Sequence, residues 1–510
     1  MSQAVSQLSD TQNVPALPHG WVWTRVGEIG QVETGTTPPK ARAEYYGKNY
    51  PFYKPTDLNA GYYTRRSEDG LSIKGITKAR LLPEKSILVT CIGATIGKTG
   101  FIRQEGASNQ QINAIIPERN ILPEYIYFIG TSPQFQESII GTASATTLPI
   151  LSKGKFEMLP IPLPPLPEQH RIVAKIEELF TRLDAGVEAL NKVKAQLKHY
   201  RQAVLRDAFQ GKLTQEWREA HKGELEPASK LLERIKEERR KNAKGKYKEL
   251  PPLDTSDLPD LPEGWVWTVI REVSLLVTKG STPTSYGFHY TSSGINFIKV
   301  ENLRGGRLDK SSLSEFITED THEFLKRSKL SENDVLFSIA GTIGRVAVVQ
   351  HEDLPANTNQ AIALILCPWQ FISPSYLKNV LESSIARSSI EKRPRGIGMN
   401  NVSLDDVNNI VVPFPPLPEQ HKIVEEIERR LSVADEIEKA IDQSLKQAGR
   451  LRQSILKTAF EGKLVPQDPA DEPAEKLLQR IKEERVRQQT EAKNTKGGKG
   501  KALDQARLLP

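Results

Sequence analysis

The chain carries one sequence framework twice, and that repetition limits its fold more than any single motif does. LPHGWVWT at 17–24 returns as LPEGWVWT at 261–268, and ETGTTPP at 33–39 returns as TKGSTPT at 278–284. FYKPTDL at 52–58 becomes FIKVENL at 297–303, and IGATIGK at 92–98 becomes IAGTIGR at 339–345. PPLPEQH at 164–170 recurs unchanged at 415–421, AFQGKL at 208–213 recurs as AFEGKL at 459–464, and LLERIKEER at 231–239 recurs as LLQRIKEER at 477–485. The blocks keep their order, and the spacing drifts by a few residues, as loop insertions would make it. A tandem duplication of this kind predicts two copies of one supersecondary plan.

Each copy has two textures. The stretches 17–163 and 261–414 are rich in β-branched and aromatic residues, short apolar runs, Gly and Pro, which predicts mixed α/β domains built on many short strands. PEYIYFIGTSPQFQESIIG and PSYLKNVLESSIARSSIEK read as helices set among them. The segments beginning at 164 and 415 have helical periodicity instead. The expected layout is a first domain over 1–163, a long helix within 164–213, a charged helical tail and linker over 214–260, a second domain over 261–414, a second long helix within 415–464, and a charged tail over 465–510.

IGATIGKT at 92–99 invites a nucleotide-binding reading. The phosphate loop, however, needs four residues between its glycines, and only three separate Gly93 from Gly97. That loop works by aiming successive backbone N–H groups at phosphates, so its length matters. The second copy also replaces Lys98 with Arg345 and Thr99 with Val346, losing the magnesium-binding hydroxyl. SILVTCIGATIGKTGFI and DVLFSIAGTIGRVAVV both read as strand, tight turn, strand, with glycines supplying positive φ at the turn.

After PPLPEQH the apolar residues fall at Ile172, Ile176, Leu179, Leu183, Leu190, Val193, Leu197, Tyr200 and Val204, with Gly186 interrupting the series. The second copy gives Ile423, Ile427, Ala434, Ile437, Ile441, Ala448, Leu451 and Ile455, weakened at Arg430 and Ser444. Alternating four-three steps predict a coiled-coil seam, most economically one helix against the other. Pro167 and Pro418 suit a helical first turn, and Glu168 and Glu419 suit its positive end. Gly211 and Gly462 mark C-terminal stops. A helix from 168 to 209 would be about 63 Å long. The charged stretches beyond the glycines read as solvated connectors.

Composition excludes several classes. The net charge of +7 permits an anionic partner without requiring one. Two cysteines, Cys91 and Cys367, form neither a disulfide scaffold nor a metal-ligand spacing, so no metal is expected. No apolar run is long enough for a membrane span, and a cytoplasmic setting is expected. Motifs for dinucleotide binding, zinc proteolysis, serine hydrolysis and adenine methylation are missing, so no catalytic residue is assigned. The candidate DNA contacts are Lys40, Arg42, Arg65, Arg66, Lys98, Arg304, Arg307, Arg345, Lys392, Arg393, Arg395, Asn400 and Asn401. Arg suits guanine and Asn suits adenine through paired hydrogen bonds, although solvated loops have the same composition. Trp21 and Trp23 of GWVWT read as a core-facing strand rather than a base-stacking platform.

Two variable α/β domains, each ending in PLPPLPEQHRIV or PFPPLPEQHKIV, a long heptad helix and AFQGKL or AFEGKL, resemble the specificity subunits of type I restriction–modification enzymes. The resemblance covers nearly the whole chain. It implies two target-recognition domains separated by two long antiparallel coiled-coil helices, related by approximate two-fold symmetry. Each domain would read one half of a split double-stranded DNA site. It implies no cofactor in this chain. Two modification subunits would use S-adenosylmethionine, and restriction subunits would use ATP and magnesium. A coiled-coil scaffold without DNA specificity is the alternative from another class; DNA retardation separates the two.

Overall fold

Short β-branched runs punctuated by Gly and Pro favour short paired strands over long helices, and the protein is built accordingly. A computed structural model describes residues 16–144, 148–242, 253–391, 401–488 and 490. The described residues up to Leu190, together with those from Gln443, form one compact unit, and Asn191–Asp442 forms a second.

In the first unit, a four-stranded antiparallel sheet runs in the order Gly30–Thr34, Ile112–Pro117, Ile87–Thr90, Thr99–Phe101. A three-stranded sheet joins Asp69–Leu71, Tyr46–Tyr53 and Ala107–Ser108, and Val22–Arg25 pairs antiparallel with Pro160–Leu163. The second unit repeats the plan. Leu276–Lys279, Ile362–Leu366, Val335–Ser338 and Val346–Val348 form its four-stranded sheet, and Val266–Val269 pairs with Val411–Phe414. The helical stretch read at 123–141 is two helices, Pro123–Gly130 and Pro133–Thr142, because Ser132 caps a new start by accepting from the Phe135 N–H.

The glycine turns are β-hairpins. Ile87–Thr90 pairs antiparallel with Thr99–Phe101, and the Gly97 N–H closes the turn on the Thr90 carbonyl at 2.8 Å. Gly93 and Gly97 take φ of +101° and +87°, which a side chain would resist. In the second unit Gly344 donates to the Ser338 carbonyl at 3.1 Å. A strand follows each turn where a phosphate loop requires a helix.

Leu166–Phe209 and Leu417–Phe460 are each one 44-residue helix. Their pairing is antiparallel in the second unit, where Lys194 meets Asp442 and Arg201 meets Asp435, and in the first unit Asp184 meets Arg452. The expected seam is less continuous than the spacing suggests. Ile172, Ile176, Leu197, Val204, Ile423, Ile427, Ile441 and Ile455 are buried, and Leu179, Leu183 and Leu190 are half-buried. Val193, Tyr200, Ile437 and Leu451 are 40–49 % exposed, which corrects their assignment to a buried line. There are two reasons. The end residues join the head-domain cores, and a two-helix pair leaves each helix wet on the far side, where a four-three series on a 3.6-residue helix drifts by about 20° per heptad.

The charged tails also depart from expectation. Ala228–Asn242 is helical, and its Ala228, Leu231 and Ile235 are buried in the second unit's core. Residues 474–488 are helical, and Ala474, Leu477, Leu478 and Ile481 are buried in the first unit's core. An apolar stripe at three- and four-residue steps survives inside each charge-rich stretch and finds a surface on a head domain.

Candidate nucleic-acid interface

At one end of each four-stranded sheet three loops meet, because an antiparallel order places alternate strand ends together. In the first unit these are 35–40 after Gly30–Thr34, 109–111 before Ile112–Pro117, and the hairpin turn 91–98. The first loop carries Lys40 and the third carries Lys98. Lys40 is exposed beside a groove also lined by Thr37, Lys54 and Gln110. The Lys98 Nζ donates to the Asn59 Oδ1 at 2.8 Å. Arg42 is exposed and lies 3.9 Å from Glu44. Arg65 and Arg66 are exposed just past Thr64, which bridges to Ile102 at the end of the strand that follows Lys98.

In the second unit Arg304 and Arg307 face each other across the short hairpin of Leu303–Arg304 and Arg307–Leu308. This hairpin lies along Val346–Val348 through the Gly306–Ala347 bridge, which sets its backbone beside the strand that follows Arg345. Arg345 donates to the Val300 carbonyl at 3.1 Å, and Arg304 lies 3.5 Å from Asp309. Lys392, Arg393, Arg395 and Asn400 lie outside the described residues, and Asn401 is exposed. Sequence reasoning passed over Arg103, whose guanidinium stacks over Phe101 at 4.3 Å and Tyr62 at 4.5 Å. Phe101 and Tyr62 lie on separate segments, and neither announces which cation will cover it.

Each head domain is locked to its long helix by the Glu-Gln pair that follows the prolines. Glu168 and Gln169 are buried at 1 % and 0 % exposure. The Trp21 Nε1–H donates to the Glu168 Oε2 at 2.9 Å, and the Gln467 Nε2 donates to the Oε1 at 3.2 Å. The Gln169 Oε1 accepts the Leu122 N–H, and its Nε2 donates to the Pro164 carbonyl. In the second unit Trp265 donates to Glu419 at 2.8 Å, while Thr214 and Arg218 donate to its other oxygen at 2.8 and 2.9 Å. Gln420 repeats the role of Gln169, with Ser373 and Pro415 as partners. Burial pushes the Glu168 carboxyl above its ordinary pKa, with Gln467 and Trp21 opposing the shift. These residues therefore fasten the scaffold. The reading of GWVWT needs adjustment too: Trp21 and Trp265 are buried, whereas Trp23 and Trp267 are half-buried.

Among the described residues, ligand-type atoms of Glu319, His322 and Glu323 lie within 4.8 Å of one another. Glu323 is ion-paired with Lys329, and the His322 Nδ1 is hydrogen-bonded to the Asn357 Oδ1. The Cys91 thiol is pushed by burial to about 12, far from reactive thiolate chemistry. Among the described residues no helix is long and apolar enough to cross a membrane.

Residues 18–199 and 262–447 each match the type I restriction modification DNA specificity domain, one match per framework copy. The chain belongs to this family. It is 30 % identical over 374 residues to the type I restriction enzyme EcoBI specificity subunit of Escherichia coli, covering 71 % of this chain and 72 % of that protein. The EcoKI specificity subunit of Escherichia coli K12 is 25 % identical over 495 residues, covering 92 % of this chain and 96 % of that one. Among solved structures, a chain from a study of complex assembly and conformational transition in a type I R-M system superposes with a TM-score of 0.65 at 18 % identity, covering 88 % of this chain and all of that one. The HsdS subunit from Thermoanaerobacter tengcongensis gives 0.51 at 17 % identity, covering 89 % of this chain and 100 % of its own. At those identities the structures speak for the fold. As a type I specificity subunit, the chain accounts for its own repetition: one specificity domain, used twice.

Proposed function

We propose that each head domain reads one half of a bipartite, asymmetric site in double-stranded DNA, and that the paired long helices set the gap between the halves. The observation that carries this reading is the combination of a shared frame with unshared loops. Both copies keep the strand order, the Glu-Gln fastening and the hairpin turn, whereas cations lie at Lys40, Arg42, Arg65 and Arg66 in one and at Arg304 and Arg307 in the other. Two similar frames with different side chains suit two different half-sites.

On this reading the chain is the non-catalytic member of its complex. Modification subunits dock on it and bring S-adenosylmethionine, and restriction subunits bring ATP and magnesium. Lys98 and Arg345 act on DNA phosphate or base edges rather than on a nucleotide.

The test exchanges residues 17–163 for the matching segment of a relative and maps methylated adenines across the host genome. One half of the recognised site should change while the other half and the gap persist. Change in both halves would refute the division of labour.

A further inference from the structure

Of the three loops at the sheet end, the middle one is built identically in both units. The Asn109 Oδ1 accepts the Gln111 N–H at 3.2 Å, and the Asn359 Oδ1 accepts the Ala361 N–H at 3.1 Å. Each is an asparagine side chain mimicking a backbone turn. The Asn109 N–H donates to the Tyr53 carbonyl at 3.1 Å, and the Asn359 N–H donates to the Ile298 carbonyl at 3.2 Å, which ties each turn to the neighbouring three-stranded sheet. The adjoining loop presses on the turn from the other side. Thr36 donates to the Ser108 carbonyl at 2.9 Å, and Ser281 to the Thr358 carbonyl at 3.0 Å. A Cβ at Gly35 or Gly280 would overlap the carbonyl oxygens of the turn, so backbone meets backbone there.

One residue in each turn takes no part in the hydrogen bonds that shape it. Gln110 and Gln360 occupy the position between the asparagine and its N–H partner, and both are exposed. The neighbouring Gln111 is tied to the Asn109 side chain at 2.8 Å and gives way to Ala361 in the second copy, whereas the outward glutamine persists in both. The turn itself would accept many residues at that place. Thr37 donates its hydroxyl to the Gln110 Oε1, which orients the amide and leaves a second lone pair on the oxygen.

We infer that Gln110 and Gln360 are base-edge contacts, each reading an adenine at the equivalent position of its own half-site. This rests on the DNA-reading function proposed above. A neutral amide adds nothing to phosphate neutralisation, which the cations in neighbouring loops supply. Its donor and acceptor match the N7 and N6–H₂ of adenine in the major groove. A rigid turn with an exposed side chain at its tip meets the positional demand of such a contact, and at Gln110 the Thr37 hydroxyl orients the amide as well. The shared glutamine predicts one base common to two otherwise different half-sites.

The test is selection of duplexes with randomised sequence by the purified full-length chain, comparing the unaltered protein with Gln110→Ala and Gln360→Ala. Both sites are exposed, and circular dichroism will verify folding of each variant. Gln110→Ala should lose discrimination about 10-fold or more at a single adenine position in one half. Gln360→Ala should do the same at the matching position of the other half. An unchanged motif overturns the inference. So does weakening spread evenly over all sequences with a shallower salt dependence, which would mark a phosphate contact. If the unaltered chain enriches no bipartite motif, the DNA-reading function itself fails and the inference falls with it.

Discussion

The Trp21 indole N–H lies 2.9 Å from the Glu168 carboxylate, across 147 residues of chain, and Trp265 and Glu419 repeat the contact at 2.8 Å. The GW of one block and the EQ of another are thus two sides of a single joint. The joints differ in charge. Glu419 has Arg218 at 2.9 Å, whereas Glu168 has the neutral Gln467, and its neighbour Arg171 is paired with Asp471.

That difference predicts opposite responses to neutralisation. The Glu168 pKa is raised in the folded chain, so folding favours its protonated form. Its contribution to stability is present below the ordinary carboxylate pKa and is lost as pH rises through the raised value. Glu168→Gln should therefore stay within about 1 kcal/mol of the unaltered protein at neutral pH and flatten this pH dependence. Glu419→Gln leaves the largely buried Arg218 without its carboxylate and should cost about 3 kcal/mol or more. Calorimetric unfolding of the full chain from pH 4 to 8 measures both. Equal losses at neutral pH would contradict the assignment.

The C-terminal helix should be structural. Leu477 and Ile481 are 2 % and 1 % exposed in the first unit's core, and Arg485 donates to the Glu118 carboxylate and the Gly27 carbonyl, both at 2.7 Å. Ile481→Ala should cost about 2–5 kcal/mol, while Val486→Ala, at a 63 % exposed position, should cost less than about 0.5 kcal/mol. Denaturant midpoints distinguish them, and similar values for the two would mean that the helix is detached in solution.

The ion pairs along the helices should matter little to stability. Asp435 is 55 % exposed and Asp184 is 57 % exposed where they meet Arg201 and Arg452. Solvent and salt screen such pairs, and Asp435→Asn should cost under about 1 kcal/mol. Their directional value is in register. A chain with both aspartates changed to lysine should lose helix pairing more sharply at low salt than at high salt, as measured by thermal melting.

If the helices act as a ruler, their length should set the gap. One heptad adds about 10.5 Å along a helix, or about three base pairs at 3.4 Å per step. Inserting seven residues after Val193 and seven after Ser444 keeps apolar positions in phase on both members of the antiparallel pair. The recognised site should keep its bases and gain a longer gap, with some affinity lost because DNA twist rotates one half-site. The methylated motif in cells carrying the double insertion reads this directly. Full activity at the original gap would show that something else sets the spacing.

The duplication, the hairpin reading of IGATIGKT, the helix starts at PPLPEQH and the stops at Gly211 and Gly462 were legible in the linear chain, because each depends on residues close together. A positive φ, a proline in a first turn or an apolar stripe acts over a few residues. Gly462 shows where that reach ends. Its φ of +69° follows from its place after the helix, but the side of Pro18 against which it packs could not be known from the chain around it. The burial of Glu168 by Trp21, the seating of Ile481 in the first unit's core, and the exposure of Leu451 despite its place in the four-three series depend on contacts between distant segments. A charge-rich tail with an apolar stripe is equally consistent with a solvated connector and with a docked helix. The outcome is decided by whether folding brings an uncovered apolar surface to it, and only the tertiary structure supplies that surface.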